Sequence, residues 1–161
     1  MQKGKFYFLE ERYFLDFPDK NLMKNKESVD GLSYDRPCFY AFQNEQSEIY
    51  WMIPISSKVE KYEKIHHKNI LKYGISDTII FGNVLNQRRA FLIQNMCPVT
   101  DRYIEKEYDY SFLGHIPVAI EPSFSGILEE KANLILALVR RGRKLIFPDV
   151  LKIEKMLLEQ L

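Results

Sequence analysis

The stretch Ile49-Tyr50-Trp51-Met52-Ile53-Pro54-Ile55-Ser56-Ser57-Lys58-Val59-Glu60 decides how this chain folds. From Ile49 to Ile55 the run is continuously apolar and of strand length, which predicts a strand buried on both faces. The residues after it change character. Ser57-Lys58-Val59-Glu60 matches a capping box, with Ser57 as N-cap and Glu60 three positions on. Val59, Tyr62, His66, Ile70 and Tyr73 then fall on one face at helical spacing, and Gly74 is placed to end the helix. A buried strand therefore feeds directly into a capped helix.

Upstream, Pro37 to Phe42 reads as a strand with Pro37 at its first position, where a missing N–H is tolerated. Lys5 to Leu9 reads as another strand, followed by a polar and aromatic stretch to Pro18. Asp19 to Ser33 is charged, contains Gly31 and reads as a loop. Downstream, Thr78 to Phe81 and Ala90 to Gln94 form a hairpin pattern with its tip around Asn86-Gln87-Arg88-Arg89. Ile116 to Ile120 is short and apolar. The last third changes period: Leu128, Ala132, Ile135, Leu136 and Val139 predict a helix from about Ser125 to Arg141, stopped by Gly142. Pro148 opens a final helix to Leu161, with Val150, Leu151, Ile153, Leu157 and Leu158 as its apolar side. Strands first and helices last, without regular βαβ alternation, is an α+β pattern. No Pro/Gly/Ser-rich linker divides the chain, so residues 1–161 are expected to form one domain.

Composition narrows the classes. Of 161 residues, 46% are hydrophobic and 28% charged, as in ordinary globular proteins. The formal net charge of +1 excludes a nucleic-acid argument from the whole chain, so any basic surface must be a local patch. Cys38 and Cys97 make no disulfide framework, which favours a reducing, cytoplasmic setting. No apolar run approaches the ~20 residues of a membrane helix, and the N-terminus lacks a signal pattern. Phosphate-loop, dinucleotide, nucleophile-elbow and zinc-protease motifs are missing. His66 and His67 are neighbours, about 100° apart on a helix, so they do not form a metal pair; no metal and no cofactor is expected.

Candidate chemistry gathers at Ser56-Ser57-Lys58. A helix start offers free amides and positive dipole character, and two hydroxyls and a lysine stand beside it. Ser57 reads both as an N-cap and as part of a phosphate site, and the two readings coexist. Cutting RNA without a metal needs a base for the 2′-hydroxyl, charge for the phosphorane and an acid for the 5′-oxygen. Lys58 and Lys61 are candidates for the charge, and Ser56 and Ser57 for hydrogen bonds. Imidazole is the side chain suited to moving protons near neutral pH, which makes His66 or His67 a candidate for that step. His66 lies mid-face and suits a core position, whereas His67 lies on the flank and suits RNA contact. In Ser33-Tyr34-Asp35-Arg36, Tyr34 can donate a hydrogen bond or stack and Arg36 can pair with phosphate, or the segment is a surface loop. Arg140, Arg141, Arg143 and Lys144 form the densest basic run, read equally as a helix terminus complementing its dipole and as a phosphate patch. Arg88 and Arg89 at the hairpin tip read as solvated charge or RNA contacts.

Several of these segments resemble the type III toxin family of toxin–antitoxin systems (ToxN, AbiQ and the CptN/TenpN branch). Lys5 to Phe14 is similar to that family's opening strand. Ser33-Tyr34-Asp35-Arg36-Pro37 is similar to its tyrosine–proline segment, and Ile53-Pro54-Ile55-Ser56-Ser57-Lys58 to its hydroxyl–lysine segment. Phe91 to Pro98 and Leu145 to Leu151 resemble the CptN branch. The segments occur in family order over essentially the whole chain. The resemblance implies a compact MazF/Kid-like (SH3-like) antiparallel β-barrel with added helices, two of them C-terminal. It implies metal-independent cleavage of single-stranded RNA to 2′,3′-cyclic phosphate and 5′-hydroxyl ends. It also implies restraint by a pseudoknot antitoxin RNA, processed from a tandem-repeat transcript, in a closed toxin–RNA ring, with mRNA as the target. Tyr34, Ser56, Ser57 and Lys58 fall on the matching active-site segments. Cys38 stands where some members carry lysine, and the catalytic lysine is either Lys58 or Lys61. A non-catalytic RNA-binding module using the same basic groove is the alternative.

Overall fold

The computed structural model describes residues 1–111 and 114–161. Its order begins with β1 (Phe6–Leu9), the short helix α1 (Glu11–Asp16) and a hairpin of β2 (Lys26–Val29) and β3 (Leu32–Asp35). The strands β4 (Cys38–Gln43) and β5 (Tyr50–Ser56) lead into α2 (Val59–Tyr73). A second hairpin, β6 (Ile79–Val84) and β7 (Gln87–Leu92), is followed by β8 (Cys97–Val99), β9 (Ile104–Glu107), β10 (Asp109–Tyr110) and β11 (Ile116–Pro117). The chain ends in α3 (Pro122–Arg140) and α4 (Val150–Leu158). This is an α+β arrangement built on an antiparallel sheet of order β6-β7-β5-β4-β1-β9, with β8 also on β5.

Alternation along the strands explains the layers. Phe6, Phe39, Ala41, Trp51, Ile53, Ile55 and Phe91 join Leu128, Ala132, Ile135 and Leu136 of α3 in one core. Their neighbours Tyr7, Leu9, Cys38, Tyr40, Tyr50 and Met52 join Tyr13 of α1, Phe17 at its C-cap, and Ile153 and Leu157 of α4 in the other. Every residue of β5 is buried, as its continuous apolar run predicts. A register shift between Tyr40 and Phe42 keeps Phe42 opposite Trp51, with which it stacks at 6.1 Å.

The expected closed barrel is not formed. Among the described residues β6 and β9 end the sheet without pairing to each other. After β7 the chain makes a single tight turn at Ile93–Asn95, and β8 then pairs with Tyr50–Met52 while β7 pairs with Ile55 and Ser56. β8 thus continues β7 along the same edge of β5 and adds no strand around a circumference.

Other expectations shift in detail. The stretch before Pro18 holds α1, and the charged segment expected as a loop holds the β2–β3 hairpin. Pro37 stands just before β4 and not within it. The first C-terminal helix starts at Pro122 and the second at Val150, where Asp149 accepts the Lys152 amide at 3.2 Å. Of the apolar face assigned to α2, only Tyr62 is buried; Ile70 and Tyr73 are exposed. Among the described residues no helix is long and apolar enough to cross a membrane.

Candidate functional site

The end of β5 is where the structure departs most from the local reading of the sequence. The N-cap position of α2 is Lys58, without a side-chain capping bond, so Ser57 is not the cap and the capping box does not form. Glu60, its expected second member, pairs instead with Lys64 at 3.3 Å. The residue that organises the turn is Ser56, which is 1% exposed. Its Oγ accepts the Lys58 amide at 3.2 Å, a local hydroxyl-to-backbone bond of the kind that competes with helix geometry. The same hydroxyl donates to Glu27 Oε1 at 2.7 Å.

Glu27 therefore lies where a phosphate was expected. The Ser57 amide donates to its Oε2 at 3.4 Å, and Arg36 Nη1 stands 3.8 Å from the same oxygen. Arg36 is buried. Its Nε donates to the Lys24 carbonyl at 2.9 Å and its Nη1 to the Ile55 carbonyl at 2.8 Å. A buried guanidinium with these partners fixes the β2–β3 hairpin to β5, so the expectation that Arg36 pairs with phosphate is corrected: its anion is Glu27. Burial pushes the neighbouring Tyr62 phenol above its ordinary value, with Arg36 pulling the other way.

A groove of about 550 Å³ opens beside this junction. Glu27, Tyr34, Ser57 and Arg89 line it, with Phe8 and Tyr108 as aromatic walls. Tyr34 is 52% exposed and has no hydrogen-bond partner among the described residues. The strand register sets Glu27 opposite Tyr34, so both side chains leave the same face of the hairpin. Asp30 and Gly31 turn that hairpin with φ of 50° and 77°, as a two-residue type I′ loop requires. Glu27 was not among the sequence candidates, although the Asp30-Gly31 pair carried the signal for the hairpin that delivers it.

The remaining candidates separate into those near the groove and those elsewhere. Lys58 and Lys61 are exposed on the first turn of α2 and do not line the groove; the Lys61 ammonium lies over the Tyr62 ring at 5.3 Å. His66 is half-buried with its ring edge-to-face against Phe81 at 5.4 Å, and its buried Nδ1 has no hydrogen-bond partner among the described residues. His67 is exposed, and neither histidine lines the groove. Arg88 is held by Glu63 at 3.1 Å and stacks over Phe81. Arg140 is not free for phosphate, because it makes paired hydrogen bonds of 2.9 and 2.7 Å to the buried Glu154. Arg141, Arg143 and Lys144 are exposed between α3 and α4. Arg143 and Lys144 line a separate depression of about 510 Å³ with Phe147. A third depression, of about 860 Å³, carries Lys20, Lys24 and Lys26; it shares Asp35 with the groove and Asp19 with the Arg143 depression.

Two further clusters were not foreseen. His115 Nδ1 lies 2.9 Å from Asp109 Oδ2, and Ser111 donates to Asp109 Oδ1 at 2.7 Å. The Ser111 bond first, then His115, holds the Asp109 carboxyl below its ordinary value. The serine is bound to the carboxylate and not to the imidazole, so this is no hydrolytic triad. Cys38 and Cys97 are free thiols buried in the second core. Among the described residues no three His, Cys, Asp or Glu side chains converge as a metal site would require. No known family model matches the chain, and no curated protein matches it.

Proposed function

We propose that this chain is a metal-independent endoribonuclease, the toxin component of a type III toxin–antitoxin system. The observation that carries the reading is the groove that collects Tyr34, Ser57, Arg89 and Glu27 at the junction of β5 with α2. An acid–base pair, a hydroxyl and a guanidinium are the groups needed to cleave a phosphodiester through its own 2′-hydroxyl. Tyr108, half-buried in its wall, gives a base an aromatic surface to stack on. The basic side chains available in the adjoining depressions are Lys20, Lys24 and Lys26, interspersed with Glu11, Asp19, Asp35 and Glu105, and beyond them Arg143 and Lys144 beside Asp149. These would hold the pseudoknot antitoxin RNA in a closed toxin–RNA assembly, with strong salt dependence. In fold we read the sheet as an opened relative of the MazF/Kid-like (SH3-like) architecture, because β5 changes partner from β8 to β7 along one edge.

The test is cleavage. Purified protein in EDTA is incubated with mixed-sequence single-stranded RNA and with its 2′-deoxy copy. The expected products carry 2′,3′-cyclic phosphate and 5′-hydroxyl ends, and the 2′-deoxy strand survives. A cut in the deoxy strand would overturn the mechanism. Binding without any cut would leave the RNA-binding module in place of the enzyme.

A further inference from the structure

The proposed reaction needs a group that takes the 2′-hydroxyl proton, and the sequence offered only histidines for it. Neither His66 nor His67 reaches the groove. Glu27 does, and its surroundings are those of a group held for use. Its side chain is about nine-tenths buried yet lines the groove. Its carboxylate is fixed from behind by the Ser56 hydroxyl, the Ser57 amide and the Arg36 guanidinium, at 2.7, 3.4 and 3.8 Å. An ionised carboxylate has about four lone-pair sites, so these contacts leave acceptor capacity for a proton arriving from the groove. Tyr34, directly across the hairpin, keeps its hydroxyl unpaired among the described residues. Cross-strand partners of this kind have Cβ atoms roughly 5 Å apart, so a carboxylate and a phenol leave one face of the hairpin into the same groove.

Resting on the ribonuclease reading, we infer that Glu27 is the general base of the cleavage step and Tyr34 its general acid. The 2′-hydroxyl proton passes to the Glu27 carboxylate as the 2′-oxygen lone pair forms the bond to phosphorus. The bond from phosphorus to the 5′-oxygen breaks with its electron pair on that oxygen, which takes the phenolic proton of Tyr34. Glu27 then releases its proton to solvent and the phenolate regains one from water, so the enzyme returns unchanged. Arg89, whose guanidinium also donates to the Gln87 side chain and the Arg88 carbonyl, supplies positive charge from the groove wall. Ser56 and Arg36 become positioning residues that aim the base.

The experiment uses the full chain with a short RNA spanning a mapped cut, and measures kcat/KM against pH. Wild type is expected to show an acid limb where the base becomes protonated. Glu27→Gln, which keeps an oxygen for Ser56, should lower kcat/KM by about 100-fold or more and abolish that limb. Glu27→Asp should keep the limb at a reduced rate, which also covers the case in which Glu27→Gln fails to fold. A substrate with sulfur in place of the bridging 5′-oxygen has a leaving group that needs no acid. It should rescue Tyr34→Phe and not Glu27→Gln. An unchanged acid limb in folded Glu27→Gln, or no rescue of Tyr34→Phe, would overturn the assignment while leaving the ribonuclease intact. Failure of the wild type to cut any RNA would overturn both.

Discussion

Ser56 and Glu27, 29 positions apart in the chain, share a buried hydrogen bond of 2.7 Å that sets where α2 begins. Because the Ser56 hydroxyl also accepts the Lys58 amide, removing it leaves a buried carboxylate oxygen and an amide short of a partner. Ser56→Ala is therefore expected to cost about 1–3 kcal/mol of stability. Ser57→Ala should stay within about 0.5 kcal/mol, since its side chain makes no capping bond. Urea denaturation of the two variants checks this. A larger loss for Ser57→Ala would restore it as the cap. A folded Ser57→Ala protein with full activity would remove it from the site.

The pairing of Arg140 with Glu154 gives a second prediction. Glu154 is 6% exposed and also accepts from Asn44, which in turn accepts the Trp51 indole N–H at 3.0 Å. This network joins α3, α4 and the β4–β5 turn. Arg140→Met leaves the carboxylate buried with one donor. With the arginine itself 44% exposed, solvent will soften the loss to about 1–3 kcal/mol. RNA affinity should not change, in contrast to Arg143→Ala or Lys144→Ala, whose side chains carry no ion pair among the described residues. Melting and binding measured on the same three variants separate the two roles; weakened RNA binding by stable Arg140→Met would return Arg140 to the RNA surface.

What the sequence made legible follows from the range of the interactions involved. β5 was readable because its burial is written in its own apolar run, and α3 and α4 because Leu128, Ala132 and Ile135, or Val150, Ile153 and Leu157, repeat at helical spacing. α1 was not, because six residues hold a helix only through Tyr13 packing on Phe17 and Tyr103. The β2–β3 hairpin was missed because β3 is exposed throughout and carries no buried stripe; only its Asp30-Gly31 turn announces it. The same omission hid Glu27. The Ser57 capping box was a sound local pattern overruled by a carboxylate from another element, which no window of sequence around Ser57 contains. Tyr34 and Ser57 were found from the sequence, and the structure adds that they share one groove with Arg89.

Gly82 and Phe124 form a close contact between β6 and the first turn of α3. A Cβ on Gly82 would overlap the Phe124 ring, which itself packs edge-to-face on Phe91 at 5.2 Å. Gly82→Ala must displace that ring from the core and should cost about 1–3 kcal/mol. Phe124→Leu introduced alongside should recover part of the loss, because a smaller side chain gives the methyl room. Thermal melts of the single and double variants measure the coupling. Purely additive losses would show that the ring moves aside freely.

Burial of the two thiols sets a window of pH dependence. Burial pushes Cys97 up to about 12, with a hydrogen bond to Tyr13 opposing it, and raises Cys38 for the same first cause. In the unfolded chain a thiol loses its proton near pH ~8.5. Above that pH the folded state binds more protons than the unfolded state, so stability falls as pH rises toward 12, by up to about 1.4 kcal/mol per unit for each thiol. Burial raises Tyr7, Tyr13, Tyr40, Tyr50, Tyr62 and Tyr103 as well, and they add to the same fall as pH approaches ~10, so the thiols weigh most between pH ~8.5 and ~9.5. Urea midpoints across this interval should decline for wild type and decline less steeply for Cys97→Ala, whatever its offset from the lost packing. Equal slopes would mean that Cys97 already ionises in the folded protein. Native thiols should also stay unreactive toward a disulfide reagent at pH ~8 until denaturant is added, since only the exposed thiolate attacks.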